Sequence, residues 1–193
     1  MRSSEQTSPA PTPARRIVII GAGPGGIVAA IKLLEAGYDN FVILEKAGGF
    51  GGTWYNTRYP GLTCDVKSRL YSFSFQPNPR WSRAYAPQPE ILEYMQKVAR
   101  KYGLEPFARF NTKVTAARWD EDTSTWQLAT DTGEQVEADV VIAAPGMFND
   151  LKWPDINGLA DFQGTMFHAA RWDTEHSLHG ERVAVIGSAA SAI

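Results

Sequence analysis

The chain has 193 residues, of which 44% are hydrophobic and 21% charged, with a net charge of −2 at pH 7. Those are the proportions of an ordinary globular protein, and the slightly acidic balance argues against a nucleic-acid or anionic-membrane partner. No apolar run approaches the roughly 20 residues of a spanning helix, and a single cysteine, Cys64, excludes an internal disulfide and suits a reducing cytoplasm.

Residues 1–14 are rich in Ser, Thr and Pro and lack the apolar core of a signal peptide, so a flexible tail is expected there. Arg16 to Ile20 is a short β-branched run, the pattern of a buried parallel strand. Gly21-Ala22-Gly23-Pro24-Gly25-Gly26 follows at once and fits G-x-G-x-x-G. In that pattern Gly21 permits the tight turn, Gly23 lets backbone approach a pyrophosphate, and Gly26 lets a helix pack close on its strand. The helix should stop at Gly37, and Phe41 to Leu44 should form the next strand. Glu45 ends that strand, close to the roughly 20-residue spacing of an acid that holds a ribose hydroxyl. Strand, glycine turn, helix, strand and acid in this order indicate a dinucleotide-binding α/β unit.

A long connection over 47–88 is rich in Gly, Pro and aromatic residues, as a functional rather than a floppy loop would be. Pro89 to Tyr102 reads as a helix, with Ile91, Met95, Val98 and Tyr102 on one face and Gly103 as its stop. Strands are expected over Phe107–Phe110, Lys113–Trp119, Trp126–Thr130 and Gln135–Val141, the last running into the buried-strand pattern of Val140–Ala143. Residues 147–158 turn to Asn, Asp, Pro and Gly, the texture of a linker. Arg182–Ile186 reads as a further strand that runs into Gly187-Ser188-Ala189-Ala190-Ser191-Ala192, a second glycine turn with small residues in place of glycines. Its helix would lie past Ile193, so the sequence reads as the front part of a longer protein. Six tryptophans and seven tyrosines fit either an aromatic core or flat surfaces against a ring-bearing ligand.

Two dinucleotide-binding starts in one chain are what a flavoprotein using FAD and a nicotinamide cofactor requires. Gly51 to Asp65 (GGTWYNTRYPGLTCD) fits [A/G]-G-x-W-x₄-[F/Y]-P-[G/M]-x₃-D at every fixed position. Phe162 to Asp173 (FQGTMFHAARWD) fits F-x-G-x₃-H-x₃-W-[P/D]. With both motifs the chain, from Arg15 to Ile193, resembles the type I Baeyer–Villiger monooxygenases. The departures are Pro145, where Ala-Thr-Gly is frequent, and Ala189 and Ala192 in the second turn.

The resemblance implies an α/β protein with two Rossmann-like dinucleotide-binding domains, the second one truncated. An FAD-binding domain would occupy 15–146, with the 47–88 insertion, followed by a linker over 147–161 and the start of an NADP-binding domain over 162–193. It implies an FAD- and NADPH-dependent enzyme that inserts one atom of O₂ beside a ketone carbonyl, giving an ester or lactone through a C4a-peroxyflavin. The alternatives are sulfur or nitrogen oxygenation, or a flavin-binding fragment without turnover; the 193 residues alone are expected to be inactive. The FAD contacts it implies are Gly21, Gly23, Gly26, Glu45, Thr53, Trp54, Asp65, Tyr71 and the backbone of Val114, with Gly187 and Ser188 in the nicotinamide-cofactor turn. Asp65 would orient a catalytic arginine supplied from beyond Ile193. Phe162, Gly164, His168, Trp172 and Asp173 form the fingerprint. There His168 would join the linker to the flavin domain by hydrogen bonds, with Phe162 and Trp172 as packing anchors. Cys64 lacks a second cysteine or a nearby histidine and reads as a bystander. His176 and His179 lack companion metal ligands, and no metal site is expected.

Overall fold

A computed structural model describes residues 15–192; the expected tail over 1–14 and the final Ile193 lie outside the described residues. Its regular elements are β1 (Ile17–Ile20), α1 (Pro24–Glu35), β2 (Phe41–Leu44), α2 (Thr53–Asn56), α3 (Gln88–Lys101), β3 (Ala108–Arg109), β4 (Val114–Asp120), β5 (Thr125–Thr130), β6 (Gln135–Ala138) and β7 (Val140–Ala143). Four strands form a parallel sheet in the order β3-β2-β1-β7, and β4-β5-β6 form an antiparallel meander.

Both faces of the parallel sheet are covered, which is why its strands read as unbroken apolar runs. Ile17, Ile19 and Ile43 share one buried cluster with Ile27, Ala30 and Ile31 of α1 and with Ile91, Met95 and Val98 of α3. Val18 and Leu44 point the other way, into a second cluster with Leu128 and Ala138 of the meander. Alternation along β1 and β2 thus sends successive side chains to a helical layer and to a β layer. In α3 the expected Ile91, Met95 and Val98 are buried, joined by Tyr94 and Ala99, while Tyr102 caps the helix half-buried and Gly103 takes φ +66° just beyond it.

Three expectations need correction. Gln135–Val141 is not one strand: the chain changes sheets at Asp139, whose N–H donates to Arg16 O at 2.9 Å and whose carboxylate accepts Arg16 N–H at 2.6 Å. Phe107–Phe110 shrinks to the two residues of β3, because Pro106 lies in a 3₁₀ turn at Glu105–Phe107. Phe107 instead stacks on Phe41, with ring centroids 4.4 Å apart. The 47–88 connection is held in place by α2 and by the bridges Thr63–Pro87 and Phe73–Gln76.

The third correction is the largest. Residues 182–186 form no strand, and Val183, Val185 and Ile186 are 52%, 66% and 62% exposed. A β-branched run becomes a strand only where a neighbour satisfies its N–H and C=O groups. The described residues supply no such neighbour there. From 147 to 192 the regular structure consists of 3₁₀ turns at Leu159–Asp161, Ala169–Arg171 and Ala190–Ala192.

Candidate functional site: two crossed glycine turns

The first glycine turn is fixed between the two strands that flank β1. Gly21 N–H donates to Leu44 O at 2.8 Å, and Ala144 N–H donates to Ile20 O at 2.9 Å. A Cβ on Gly26 would lie 1.9 Å from Gly21 O, so the start of α1 is pressed onto the turn more closely than any side chain permits. No side chain caps α1 and no acid lies in its first turn. Its leading N–H groups and the positive end of its dipole are therefore available to an anion.

Glu45 closes this turn from β2. Its side chain is buried, with Oε2 accepting Ala22 N–H at 2.7 Å and Oε1 accepting Ala47 N–H at 2.7 Å. A carboxylate has about four lone-pair sites, so Glu45 keeps acceptor capacity toward a diol while it ties the two loops together.

The second turn crosses the first. Gly51 N–H donates to Ala22 O at 3.0 Å. Gly52 has φ +57°, and a Cβ on it would lie 2.8 Å from Gly23 Cα. Backbone therefore meets backbone where Gly23 is expected to approach a phosphate. Thr53 begins α2, and the next residue, Trp54, is buried. The Trp54 indole Nε1–H donates to the Tyr71 hydroxyl at 2.8 Å, and the two rings meet edge to face at 5.6 Å. Burial pushes the Tyr71 phenol above its ordinary range against the opposing effect of that hydrogen bond, and the charge of Asp65 adds to the rise. Asp65 itself is exposed.

The structure thus joins Gly21, Gly23, Gly26, Glu45, Thr53, Trp54 and Tyr71 into one connected set, with Asp65 at its rim. Val114 is not tied to it. That residue opens β4 at a bulge, and its side chain packs with the Val18–Leu44 cluster. Gly187 and Ser188 lie in an exposed stretch; just beyond them Ala192 N–H donates to Ala189 O at 2.8 Å and Tyr59 O–H reaches Ser191 Oγ at 3.2 Å.

The second motif behaves differently from the expectation. The His168 hydrogen bond is local: Nδ1 accepts Ala170 N–H at 3.0 Å, capping its own 3₁₀ turn, while the ring meets Trp153 at 5.7 Å. Phe162 is 60% exposed and lies against Gly164, so it is no buried anchor. Trp172 does pack, on Phe167 at 4.7 Å, and Asp173 accepts Glu175 N–H at 3.0 Å. His176 pairs with Glu181 at 3.0 Å.

One residue absent from the sequence reading is Gln88, buried at the head of α3, whose side-chain amide donates to Trp54 O. Its signal was a polar residue between Pro87 and Pro89, where a helix begins and a side-chain amide can serve another loop.

A family profile described as pyridine nucleotide-disulphide oxidoreductase matches residues 18–193. The chain belongs to this family. Among curated relatives, a Baeyer–Villiger monooxygenase of Streptomyces coelicolor is 48% identical over 178 residues, covering 92% of this chain and 34% of its own length. A crystal structure of cyclohexanone monooxygenase with bound ε-caprolactone superposes with TM-score 0.86 at 41% identity, over 92% of this chain and 36% of that one. The structure of OTEMO in complex with FAD and NADP superposes with TM-score 0.78 at 37% identity, over 86% of this chain and 32% of that one. This family member thus spans about a third of the length of the proteins it resembles. Among its described residues no helix is long and apolar enough to cross a membrane.

Proposed function

We propose that the chain supplies the FAD-binding part of a Baeyer–Villiger monooxygenase, in which NADPH and O₂ convert a ketone to an ester or lactone. One observation carries the reading: the Gly51–Gly52 turn lies across the Gly21–Gly26 turn with the buried Glu45 carboxylate beneath them. This cradle has the small residues, free N–H groups and acid that a dinucleotide's pyrophosphate and ribose require. Bound FAD would supply the redox and oxygen-transfer chemistry.

The chain's own residues would bind and orient. Gly23 and the first turn of α1 would face the pyrophosphate, and Glu45 would accept the ribose hydroxyls. Thr53 and the Trp54–Tyr71 pair would line the ring end, with Val114 contributing backbone to the adenine end. Asp65, exposed beside Tyr71, is a positioning residue that offers its carboxylate to a guanidinium brought by another segment. Residues 15–146 would make the FAD-binding domain and 147–161 the linker. Residues 162–193 would open the NADP-binding domain, with Gly187 and Ser188 in its turn. A cytoplasmic location fits the single free, buried cysteine.

The test is a protein that joins these residues to the remaining length of the relatives, assayed with NADPH, oxygen, a panel of ketones and a thioether. FAD at one per chain and ester or lactone formation are expected. Sulfoxide as the only product would replace ketone oxygenation with heteroatom oxygenation, and a chain without flavin would end the proposal.

A further inference from the structure

A cleft on the 67–84 loop runs against the acidic balance of the chain. Lys67, Arg69 and Arg83 line it together with Trp81, Leu70 and Pro79, around a volume of about 580 Å³. That volume lies within the usual range for small-molecule sites. None of the three cations is in a salt bridge: the ion pairs of the described residues engage Arg16, Lys32, Arg109 and His176. No carboxylate lines the cleft, and Ser82, which does, donates its N–H and O–H to Glu90 at 2.9 Å and 2.6 Å.

The walls are built rather than incidental. Ser68 is buried and links the two rims. Its N–H donates to Ala84 O at 2.8 Å, its hydroxyl reaches Arg83 O at 3.0 Å, and its Oγ accepts Ala86 N–H at 2.8 Å. Trp81 is held from behind, with Nε1–H donating to Ser72 Oγ at 3.2 Å and its ring against Tyr94 at 5.2 Å. One cleft is thus lined by a fixed indole, apolar neighbours and three cations that have no ion-pair partner among the described residues.

We propose that this cleft binds an aromatic phosphate monoester of nucleotide size, its phosphate among Lys67, Arg69 and Arg83 and its ring against Trp81. Guanidinium forks match phosphate oxygens in pairs, and three positive charges answer a dianion better than a carboxylate. The site is separate from the two glycine turns and does not depend on the function proposed for them.

The experiment titrates the full chain with AMP, adenosine and inorganic phosphate, followed by tryptophan fluorescence and calorimetry, with and without saturating FAD. One AMP per chain is expected outside the FAD site, at least about tenfold tighter than adenosine or phosphate, the scale of a charge-assisted contact. Raising the salt should weaken it through screening. Arg69→Ala and Arg83→Ala should each weaken AMP by about tenfold or more, and Trp81→Leu should erase the preference for AMP over phosphate. The Arg69 side chain makes no hydrogen bond among the described residues, so its loss leaves the fold intact, which circular dichroism checks. Unchanged AMP affinity in the triple variant Lys67→Ala/Arg69→Ala/Arg83→Ala would overturn the proposal, as would full displacement of AMP by FAD.

Discussion

The Glu45 carboxylate accepts the backbone N–H of Ala22 at 2.7 Å, so the acid that ends β2 also braces the glycine turn that ends β1. The same side chain holds Ala47 N–H at 2.7 Å. Glu45→Ala would leave both donors without that acceptor inside the protein, at about 1–3 kcal/mol for each one left unsatisfied. We expect a lower Tm in thermal unfolding together with weaker FAD in a fluorescence titration. Glu45→Gln, which keeps one acceptor oxygen, should fall between. Wild-type Tm and flavin affinity in both variants would remove Glu45 from the site.

Gly26→Ala tests the close approach of α1 to the turn. Its Cβ would lie 1.9 Å from Gly21 O and 2.9 Å from Gly21 C, both backbone atoms that cannot swing aside. Relief requires moving the helix or the turn, and overpacking of this kind costs about 1–3 kcal/mol or more. Urea denaturation should show a clear loss of stability, whereas Gly133→Ala, with open space around it, should owe its smaller cost to its φ of +85° alone. Equal midpoints for Gly26→Ala and wild type would contradict the geometry.

Asp65→Ala separates binding from chemistry. The side chain is exposed and supports no other described element, so the fold and bound flavin should persist. In a protein carrying the remaining length of the relatives, ketone oxygenation should fall by on the order of 10²-fold, the scale of losing one oriented electrostatic group. NADPH oxidation should then yield hydrogen peroxide in place of ester. Wild-type product yield would discard the positioning role.

Acid stability should carry the mark of Arg16 and Asp139. The guanidinium of Arg16, by hydrogen bonding, and its backbone N–H hold the Asp139 carboxyl at about 2, below its ordinary 3.8. Glu137 is lowered as well, first by Gln127 and then by Arg16. A depressed carboxyl contributes stability that is complete above its unfolded pKa and is lost as the pH falls through the folded one. The stability difference between wild type and Asp139→Asn should therefore be flat near neutrality and shrink between about pH 4 and 2. The carboxylate is partly exposed, so salt should reduce the difference further. A gap that stays constant down to pH 2 would contradict the assignment.

Much of this was legible in the chain because it is local. β1, α1 and β2 follow from an apolar run, a glycine pattern and a stop at Gly37, all within one stretch. Asp139 was not legible. Its neighbours Val136, Val140 and Val141 continue the strand pattern on both sides, and only its partner Arg16, far away in sequence, makes it a switch between sheets. The segment 182–186 failed for a related reason: its β-branched pattern states a preference for pairing, while a strand needs a partner that pattern cannot supply. Gln88 and Ser68 were invisible because their roles lie in the loops they connect.

The place of β1 in its sheet also governs how the chain can fold. It lies between β2, its immediate successor across one helix, and β7, the last strand among the described residues, with Ile17 beside Phe41 on one side and Val140 on the other. The first pairing closes a short loop, whereas the second must gather everything between, including the entire meander. Non-local pairing of this kind slows folding, because the entropy of closing the loop is spent before any contact rewards it. During synthesis β1 would emerge early and stand with one edge unsatisfied until Ala143 has left the ribosome. For that interval an apolar strand is open to association with other chains, and the rate of β7 docking sets how long the hazard lasts.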